Sequence, residues 1–474
     1  MLLFLRTAGL KRVHFVGIGG AGMSGIAEIL LNYQLKVSGS DLEGSETTER
    51  LAALGAQVAI GHSADNVDRA DLVIISSAVP AGNEEVVAAR RRGVPVVRRA
   101  QMLAELMRLK YGVAVAGTHG KTTTTSLIGS VLTDAGLDPT VIVGGRLRVS
   151  GTGARYGSSD YLVAEADEFD RSFLDLAPVV AVITNIDVDH LDTYRDLADI
   201  QAAFARFAGR VPFFGQVIAC ADDPNVRDLL PRLADRRIVT YGFDPGVDLR
   251  ALDASPTGAG VRFGVADAHL GPLGVLELPL PGRHNVLNAL AAVAAARAVG
   301  LDFEAAARAL SGFRGIHRRF ERVGQWRGAT VIDDYAHHPT EVEATLKAAR
   351  EVIGPSGGNG ARTGRIHAVF QPHLFSRTRD MAEDFGRSLL LADNVLVADI
   401  YPSRERPIPG VDAGLVVAAA ARAGHPSISG CGPWQAAPDR LRSEVGEGDL
   451  IFTLGAGDIY RLAHRLAAGE GDVS

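Results

Sequence analysis

Cysteine is almost absent from this sequence. Its 474 residues include only Cys220 and Cys431, which lie far apart and in no CxxC spacing. A disulfide scaffold needs several paired cysteines, and a thiolate zinc site needs closely spaced ones. Both kinds of protein are therefore excluded, and we expect the two thiols to be buried.

Excess positive charge is also missing. The chain has 49 Lys and Arg against 55 Asp and Glu, which gives a formal net charge of −6. It therefore has no general positive field to hold a nucleic-acid backbone or an anionic membrane, and we expect neither as a partner. Lysine itself is rare, so a lysine inside a motif is informative.

Long apolar runs are absent as well. No run approaches the roughly 18 residues needed to cross a bilayer, and the opening MLLFLR lacks the basic start and cleavage site of a signal peptide. The composition, 47% hydrophobic and 22% charged, is that of a globular protein. We therefore expect a cytoplasmic protein, of two or three domains at this length.

Short apolar runs alternate with helical patterns along the whole chain. This alternation is typical of an α/β fold with doubly wound parallel sheets. A new strand, YGVAVAG, follows a helical segment near residue 109, and another block begins around GFRGIHRRFE. We therefore predict three domains, over residues 1–110, 111–313 and 314–474.

A glycine-rich turn follows the first predicted strand. GIGGAG fits GxGxxG, opens a helix, and is followed by an acidic residue, Asp41, at the end of the next strand. Such glycines let the backbone approach a pyrophosphate, and the carboxylate can accept a hydrogen bond from a ribose or a base. A nucleotide site is predicted here, with a plain tight turn as the alternative. The glycines are Gly17, Gly19, Gly20 and Gly22.

A second loop, GTHGKTT, lies between a strand and the helix TTSLIGSVLTDAG. It is a shortened relative of GxxxxGK[ST], because Val115 stands where the first glycine would be. Backbone N–H groups and Lys121 can hold the β- and γ-phosphates of a nucleotide, and the Thr122 hydroxyl can bind Mg²⁺. The loop consists of Gly117, Thr118, His119, Gly120, Lys121, Thr122 and Thr123.

Acidic segments follow two further strands of the same block. AEADEFD contains Glu165, and TNIDVDHLD contains His190. Carboxylates at the carboxyl ends of parallel strands suit a hard cation, with solvated acidic loops as the alternative. The pair His337 and His338 has no second pair of ligands in HExxH-like spacing, so zinc is not predicted.

Taken in order, the motifs resemble one family. GIGGAGMS, GTHGKTTTT, EADE, TNIDVDHLD, PGRHNVLNALAA, RRFE, DDYAHHPTE, QPH and GAGDI occur in the order seen in the Mur ligases, and they span essentially the whole chain. Within the family, the set most resembles the members that add L-alanine to UDP-N-acetylmuramate. The resemblance implies a Rossmann-like N-terminal domain for the UDP sugar, a P-loop-type central ATPase domain, and a Rossmann-like C-terminal domain for the amino acid.

The resemblance also implies roles for particular residues. Lys121 would contact the ATP phosphates, Arg319 would reach the γ-phosphate, and Asp334 would help to hold ATP. The two Mg²⁺ ions would be surrounded by Thr122, Glu165 and His190. The nucleotide would be lined by His284, Asn285 and Asn288. The alanine and acyl-group pocket would be formed by Tyr335, His337, His373 and Arg377. The UDP sugar would be bound by the glycine-rich loop with Ser24 and Asp41.

Three positions depart from the family pattern. Gly153 replaces a usual asparagine, Phe169 a frequent serine, and Leu374 an arginine found in some members. In addition, no lysine lies between Lys121 and Lys347, so the carbamylated lysine of some sister ligases is absent from the central region.

The expected reaction is ATP-dependent amide formation. ATP would first convert the muramoyl carboxylate to an acyl phosphate, and the amine of alanine would then displace phosphate. During the first step, the charge of the transferring phosphoryl group would be offset by Lys121, Arg319 and Mg²⁺. His337 or His373 could take the proton from the amine.

Several alternatives stay open. One is the recycling ligase that attaches a tripeptide to the same UDP sugar; the diaminopimelate-adding sister normally carries a DNPR motif, which is absent here. From other classes, an NAD-dependent oxidoreductase would explain GIGGAG and Asp41 but not GTHGKTT. A non-catalytic nucleotide-binding module would leave Glu165, His190 and Asp334 without a role. The expected state is a monomer or a dimer.

Overall fold

The computed structural model describes residues 10–76, 78–144, 153–189, 193–258, 260–353, 364–403 and 405–469. The chain divides into two compact units. The first unit contains the residues up to Asp253 together with Phe263–Leu276 and Leu287–Arg314. The second contains Ala254–Arg262, Glu277–Val286 and the residues from Gly315 onward. The α/β fold predicted from the sequence is confirmed, whereas the three domain ranges stay a prediction.

A sheet of five parallel strands begins the first unit. Its strands are β1 (Arg12–Val16), β2 (Lys36–Asp41), β3 (Gln57–Ile60), β4 (Leu72–Ile75) and β5 (Val96–Arg98). Their order across the sheet is β3-β2-β1-β4-β5, and every neighbouring pair is parallel. The associated helices are α1 (Ala21–Asn32), α2 (Glu46–Ala53), α3 (Glu84–Arg91) and α4 (Arg99–Arg108).

A second sheet has ten strands. They are β6 (Tyr111–Ala116), β7 (Thr140–Ile142), β8 (Ala154–Arg155), β9 (Tyr161–Glu165), β10 (Val180–Ile183), β11 (Gln216–Cys220), β12 (Ile238–Gly242), β13 (Leu249–Pro256), β14 (Val261–Asp267) and β15 (Gly271–Leu278). Their order is β15-β14-β13-β12-β11-β10-β6-β9-β7-β8. The helices along this stretch are α5 (Lys121–Asp134), α6 (Leu197–Ala208), α7 (Pro224–Leu229), α8 (Arg283–Ala298) and α9 (Phe303–Ser311).

The centre of the ten-stranded sheet carries the phosphate loop. Strand β6 lies between β9 and β10, and both pairs are parallel. The carboxyl ends of these three strands therefore meet at one edge of the sheet, which is where ligands bind in open α/β sheets. The apolar residues of β6 from Val113 to Ala116 are fully buried, as expected for a central parallel strand.

The third sheet has six strands and lies in the second unit. They are β16 (Glu321–Trp326), β17 (Ala329–Asp334), β18 (Ile366–Phe370), β19 (Asn394–Ala398), β20 (Ile428–Gly432) and β21 (Leu450–Leu454), in the order β16-β17-β21-β18-β19-β20. Only β16 pairs antiparallel to its neighbour; the other pairs are parallel. The helices are α10 (Pro339–Ile353), α11 (Phe375–Ser388), α12 (Gly414–Arg422), α13 (Ala437–Leu441) and α14 (Tyr460–Ala467).

Each unit has its own apolar core. In the first, the Phe173 ring packs against Phe204 and Phe207 at centroid distances of 5.2 Å. In the second, Phe452 packs edge to face on Phe320 at 5.3 Å. Aromatic pairs in these arrangements add to the stabilisation from buried area.

Both cysteines are free and buried, as expected from the sequence. Burial raises the pKa of the Cys220 thiol to about 12 and that of Cys431 to about 11. A thiol with so high a pKa carries almost no thiolate at neutral pH and is chemically inert.

Among the helices that the structure describes, none combines the length and the apolar character needed to span a bilayer.

Candidate active site

The glycine-rich loop joins β1 to α1. Gly17 adopts a left-handed φ of 78°, and its N–H donates to Ser40 O at the end of β2. The N–H of Gly19 donates to Asp41 Oδ2 at 2.8 Å, and a Cβ on Gly19 would lie 2.9 Å from that oxygen. Asp41, predicted to contact a ribose or base, therefore also holds the turn in shape.

The other predicted residues of this loop lie at the start of α1. Gly20 is the residue before the helix, and Ser24 is buried in its first turns. Gly22 packs against the Arg99 side chain, since a Cβ there would lie 2.3 Å from Arg99 Nη1 and the arginine would have to move. The structure thus brings the predicted UDP-sugar residues together around one helix N-terminus.

The phosphate loop joins β6 to α5 and depends on two glycines. Gly117 has φ 146°, and a Cβ on it would lie 1.9 Å from Thr184 Oγ1. Gly120 has φ 78°, and its Cβ would lie 2.7 Å from Asn288 Oδ1. Neither position can accept a side chain, which explains why GTHG carries glycine at both ends.

Side chains and backbone at the end of β10 hold the middle of the phosphate loop. The N–H of His119 donates to Asn185 Oδ1 at 2.8 Å, and Thr184 Oγ1 donates to His119 O at 2.6 Å. The N–H of Asp187 donates to Thr118 Oγ1 at 2.8 Å. The protein's own hydrogen bonds therefore hold the loop in shape, and preorganised donors of this kind are what phosphoryl transfer uses.

Lys121 begins α5 and folds back over the loop. Its Nζ donates to Gly117 O at 2.7 Å and contacts the Glu168 carboxylate at 2.8 Å, with only 12% of the side chain exposed. Burial alone would lower the pKa of Lys121, but the neighbouring carboxylates, Glu168 first, raise it above its usual value. The lysine therefore stays charged, with Glu168 as its counter-ion.

The predicted metal ligands Thr122 and Glu165 are in contact. Thr122 Oγ1 donates to Glu165 Oε2 at 3.0 Å, and the N–H of Gly144 donates to the same oxygen at 2.7 Å. A hydroxyl and a carboxylate beside a phosphate loop are the hard oxygen donors that Mg²⁺ prefers, so these residues fit the ion. His190, the third predicted ligand, lies outside the described residues. Thr123 is buried in the first turn of α5.

Helix α8 supplies the three residues expected to line the nucleotide. Thr124 Oγ1 donates to Asn288 Oδ1 at 3.1 Å, which places Asn288 beside the phosphate loop within the first unit. Asn285 Nδ2 donates to Pro281 O at 2.7 Å and so stabilises the start of the helix. His284 is buried, and burial together with the charge of Arg319 lowers its pKa to about 4.

In the second unit a row of rings forms the predicted amino-acid pocket. The centroid of Tyr335 lies 5.2 Å from that of His337, which lies 5.8 Å from that of His373. Tyr401 stacks on His373 at 5.9 Å and 14°. Three of these residues were predicted from the sequence and are brought together; Tyr401 belongs to no motif and was missed.

His373 is an uncharged member of this row. Burial, followed by the charges of His337 and Arg377, lowers its pKa to about 3. Its Nδ1 is buried without a hydrogen-bond partner among the described residues. The ring is therefore neutral and leaves one nitrogen for a ligand, and the predicted residue Arg377 lies close enough to influence it.

Arg319 and His337 share a carboxylate that the sequence did not single out. Glu341 lies 3.9 Å from Arg319 Nη1 and 3.1 Å from His337 Nδ1. The Arg319 guanidinium also lies 5.2 Å from the Tyr335 ring centroid. The predicted γ-phosphate residue is thus next to the predicted amino-acid pocket.

Asp334 ties two loops of the second unit together. Its Oδ2 accepts the N–H of Phe320 at 2.7 Å, and its Oδ1 accepts that of Ala336 at 2.8 Å. Burial raises its pKa to about 6, against the opposing effect of Arg319. In this structure Asp334 organises the RRFE and DDYAHH segments; a contact with ATP stays a prediction.

The three departures from the family pattern lie at different kinds of position. Gly153 contributes its carbonyl to a hydrogen bond from Val143 N, Phe169 is 43% exposed, and Leu374 has a left-handed φ of 71°. Leu374 directly follows His373, and its N–H donates to Tyr401 O at 3.0 Å, so this strained backbone adjoins two of the pocket rings.

Comparison with known proteins covers nearly the whole chain. Three family models match in succession: "Mur ligase family, catalytic domain" over residues 12–111, "Mur ligase middle domain" over 115–296, and "Mur ligase, glutamate ligase domain" over 318–457. They match regions that contain the glycine-rich loop, the phosphate loop and the ring pocket, respectively.

Similar proteins include UDP-N-acetylmuramate–L-alanine ligases. That of Syntrophotalea carbinolica is 49% identical over 458 residues, covering 97% of this chain and 98% of its own. That of Acidobacterium capsulatum is 50% identical over 455 residues, covering 96% of each.

Solved structures of Mur ligases are also similar to this chain. A UDP-N-acetylmuramate–alanine ligase from Thermotoga maritima matches with a TM-score of 0.79 and 31% identity over 97% of this chain and 99% of its own. A murein peptide ligase from Psychrobacter arcticus matches with a TM-score of 0.70 and 26% identity over 98% and 99%. The chain therefore belongs to the Mur ligase family.

Proposed function

We propose that this chain joins L-alanine to the carboxylate of UDP-N-acetylmuramate, converting ATP to ADP and phosphate, in the synthesis of peptidoglycan. The observation that carries the proposal is the set of relatives of that name, which are nearly half identical to this chain over almost its full length. Proteins that represent the tripeptide-adding alternative are less similar than these relatives, at 26% identity over 98% of this chain and at 32% identity over 65% of it.

The phosphate loop supports the use of ATP. Lys121 is already charged and lies against Gly117 O and Glu168, so it can exchange this carboxylate for the phosphates of ATP. Arg319, the residue expected to reach the γ-phosphate, would supply a further positive charge. Opposing the charge of the transferring phosphoryl group is the main catalytic task in such reactions.

Thr122 and Glu165 would hold Mg²⁺. The ion, when bound, neutralises phosphate charge and orients the phosphoryl group. Glu165 already accepts two hydrogen bonds, from Thr122 and Gly144, so the protein keeps its carboxylate in place.

The ring pocket supports amine attack on the acyl phosphate. His373 remains neutral because its pKa is about 3, and so weak a base does not retain a proton taken from an amine. His337, the other imidazole of the pocket, lies 3.1 Å from the Glu341 carboxylate. We therefore assign the proton from the alanine amine to His337 and the positioning of the substrate to His373.

The test is phosphate release by the purified chain with ATP, Mg²⁺ and UDP-N-acetylmuramate, adding alanine, glycine, serine or the tripeptide in turn. We expect alanine to give the highest kcat/KM. A higher value with the tripeptide would replace this proposal by the recycling activity, and release independent of any amino acid would remove the ligase proposal. The cytoplasmic location and the monomeric or dimeric state stay predictions.

A further inference from the structure

Arg318, the first arginine of RRFE, makes an unusually complete set of contacts in the second unit. Its Nε donates to Asp333 Oδ2 at 3.0 Å. Its Nη1 donates to Gly457 O at 3.1 Å, and its Nη2 donates to Gly455 O. The guanidinium is therefore bound by one carboxylate and by two carbonyls of the GAGD loop that follows β21.

Two aromatic rings lie near this guanidinium. Its carbon lies 4.9 Å from the Tyr335 centroid and 4.8 Å from the Tyr460 centroid, within the range of cation–π contact. All three nitrogens are engaged and 20% of the side chain is exposed. Arg318 is thus occupied by the protein and has little left with which to bind a substrate.

The backbone around Arg318 is held in place at some conformational cost. Arg318 and Phe320 have φ values of 59° and 47°, which side-chain-bearing residues rarely adopt. The Arg318 carbonyl accepts the N–H of Tyr335 at 2.7 Å. Its backbone and its guanidinium therefore both act on Tyr335, one of the pocket rings.

The GAGD loop, which Arg318 holds on one side, also contacts residues on the His373 side of the pocket. Asp458 Oδ1 accepts from Gln371 Nε2 at 3.0 Å, and Gln371 Oε1 accepts from Ile459 N at 3.2 Å. A Cβ on Gly457 would lie 2.6 Å from the Tyr401 ring. The loop that Arg318 holds by its carbonyls therefore touches Gln371, two residues before His373, and Tyr401, which stacks on His373.

We propose that Arg318 is a positioning residue that holds the amino-acid pocket in shape and thereby sets the selectivity for the incoming amino acid. It acts through Tyr335 on one side and through the GAGD loop, Tyr401 and His373 on the other. This inference rests on the proposed function.

The test compares Arg318→Lys with the wild type and with Arg322→Lys, a control at an exposed arginine of β16. Lysine keeps the charge but cannot form the planar fork that binds two carbonyls and a carboxylate together. We expect kcat/KM for alanine to fall by about 10- to 100-fold, the loss of one or two charge-assisted hydrogen bonds. The KM values for ATP and UDP-N-acetylmuramate should stay within about twofold of the wild type.

Selectivity separates positioning from a merely structural role. A loosened pocket should shrink the ratio of kcat/KM for alanine to that for serine, whereas a general loss of folded protein would lower both equally and leave the ratio unchanged. Tyr460→Leu removes one ring beside the guanidinium and should change the ratio in the same direction by less. If Arg318→Lys does not fold, the alanine-to-serine ratio of kcat/KM in Tyr460→Leu tests the proposal instead.

An unchanged alanine-to-serine ratio in the folded variants would overturn the inference, as would a rise in the KM for ATP equal to that for alanine. A wild-type chain that releases no phosphate with alanine would instead contradict the proposed function. The two failures are therefore distinguishable.

Discussion

The sequence predicts the position of Lys121 in the phosphate loop but not its burial against Glu168. The motif GTHGKTT predicts a lysine that faces the phosphates of a nucleotide. The structure instead buries most of its side chain against Glu168, which is only 3% exposed. Removal of one partner from a buried ion pair leaves an uncompensated charge, so this lysine also contributes to stability.

We predict that Lys121→Ala lowers kcat by at least about 100-fold and lowers the free energy of unfolding by about 3 kcal/mol. Adding Glu168→Gln should recover part of the stability but none of the activity, because it removes only the unpaired charge. Urea denaturation and phosphate release measure the two effects. A single variant as stable as the wild type would show that the pair contributes nothing to folding.

His284 gives a prediction about pH. Its pKa is about 4 in the folded protein, lowered by burial and by Arg319, and about 6.5 in an unfolded chain. Between these values the unfolded chain binds a proton that the folded chain does not, so stability falls as the pH falls from 6.5 towards 4.

Between pH 7 and pH 5, we expect His284 to account for a loss of about 2 kcal/mol in the free energy of unfolding. His284→Asn should remove this part of the pH dependence, which denaturation at both pH values measures. The control is His269→Asn, since His269 is exposed on a turn. Equal pH dependence in His284→Asn and the wild type would contradict the assignment.

At the scale of elements, the phosphate loop between β6 and α5 depends strongly on the conformation of Gly117. Gly117 has both a left-handed φ and a Cβ direction that points at Thr184 Oγ1, only 1.9 Å away. Gly136, which follows the other end of α5, also has a positive φ, at 79°. Unlike Gly117, it has open space around its Cβ position.

We predict that Gly117→Ala destabilises the protein by about 3 kcal/mol, from backbone strain and overlap together, and abolishes ATP binding. Gly136→Ala should cost about 1 kcal/mol from strain alone and leave ATP affinity unchanged. Thermal unfolding and calorimetric titration with a non-hydrolysable ATP analogue compare the two. Normal ATP affinity in Gly117→Ala would show that the loop tolerates displacement.

The sequence predicts best those helices and strands whose own residues form a clear apolar or helical pattern. Strand β6 is an apolar run followed by glycine, and α8 (Arg283–Ala298) is a long alanine-rich segment of the kind that forms helices. The strands β13 to β15 were not predicted, because their faces are partly exposed and their apolar pattern is weak.

The missed site residues have partners that are distant in the sequence and carry no local pattern. Glu168 was part of a noted acidic segment, but nothing local shows that it pairs with Lys121. Tyr401 lies in no motif. Arg318 binds backbone carbonyls such as that of Gly455, 137 positions away, and a carbonyl is present at every residue. Such contacts depend on topology and cannot be predicted from spacing alone.

At the scale of the whole molecule, the two units have separate apolar cores. Phe173 is 1% exposed in the first and Phe452 is fully buried in the second. Units with their own cores usually unfold as separate cooperative transitions.

We therefore predict two calorimetric transitions. Phe173→Ala and Phe452→Ala should each cost about 3–5 kcal/mol, and each should lower the midpoint of one transition and not of the other. The two variants are matched in residue type and burial, so each is the control of the other. A single transition that both variants shift equally would show one cooperative unit.

The contact between Lys121 and Glu168 also bears on how competitive inhibitors could be designed. A neutral compound that occupies the phosphate loop leaves the ion pair intact and loses no lysine contact. An anionic compound must displace Glu168 from Lys121, and it recovers that loss only if its own charge replaces the carboxylate at similar distance. Potency in this site should therefore depend less on the number of negative charges than on where the first of them is placed.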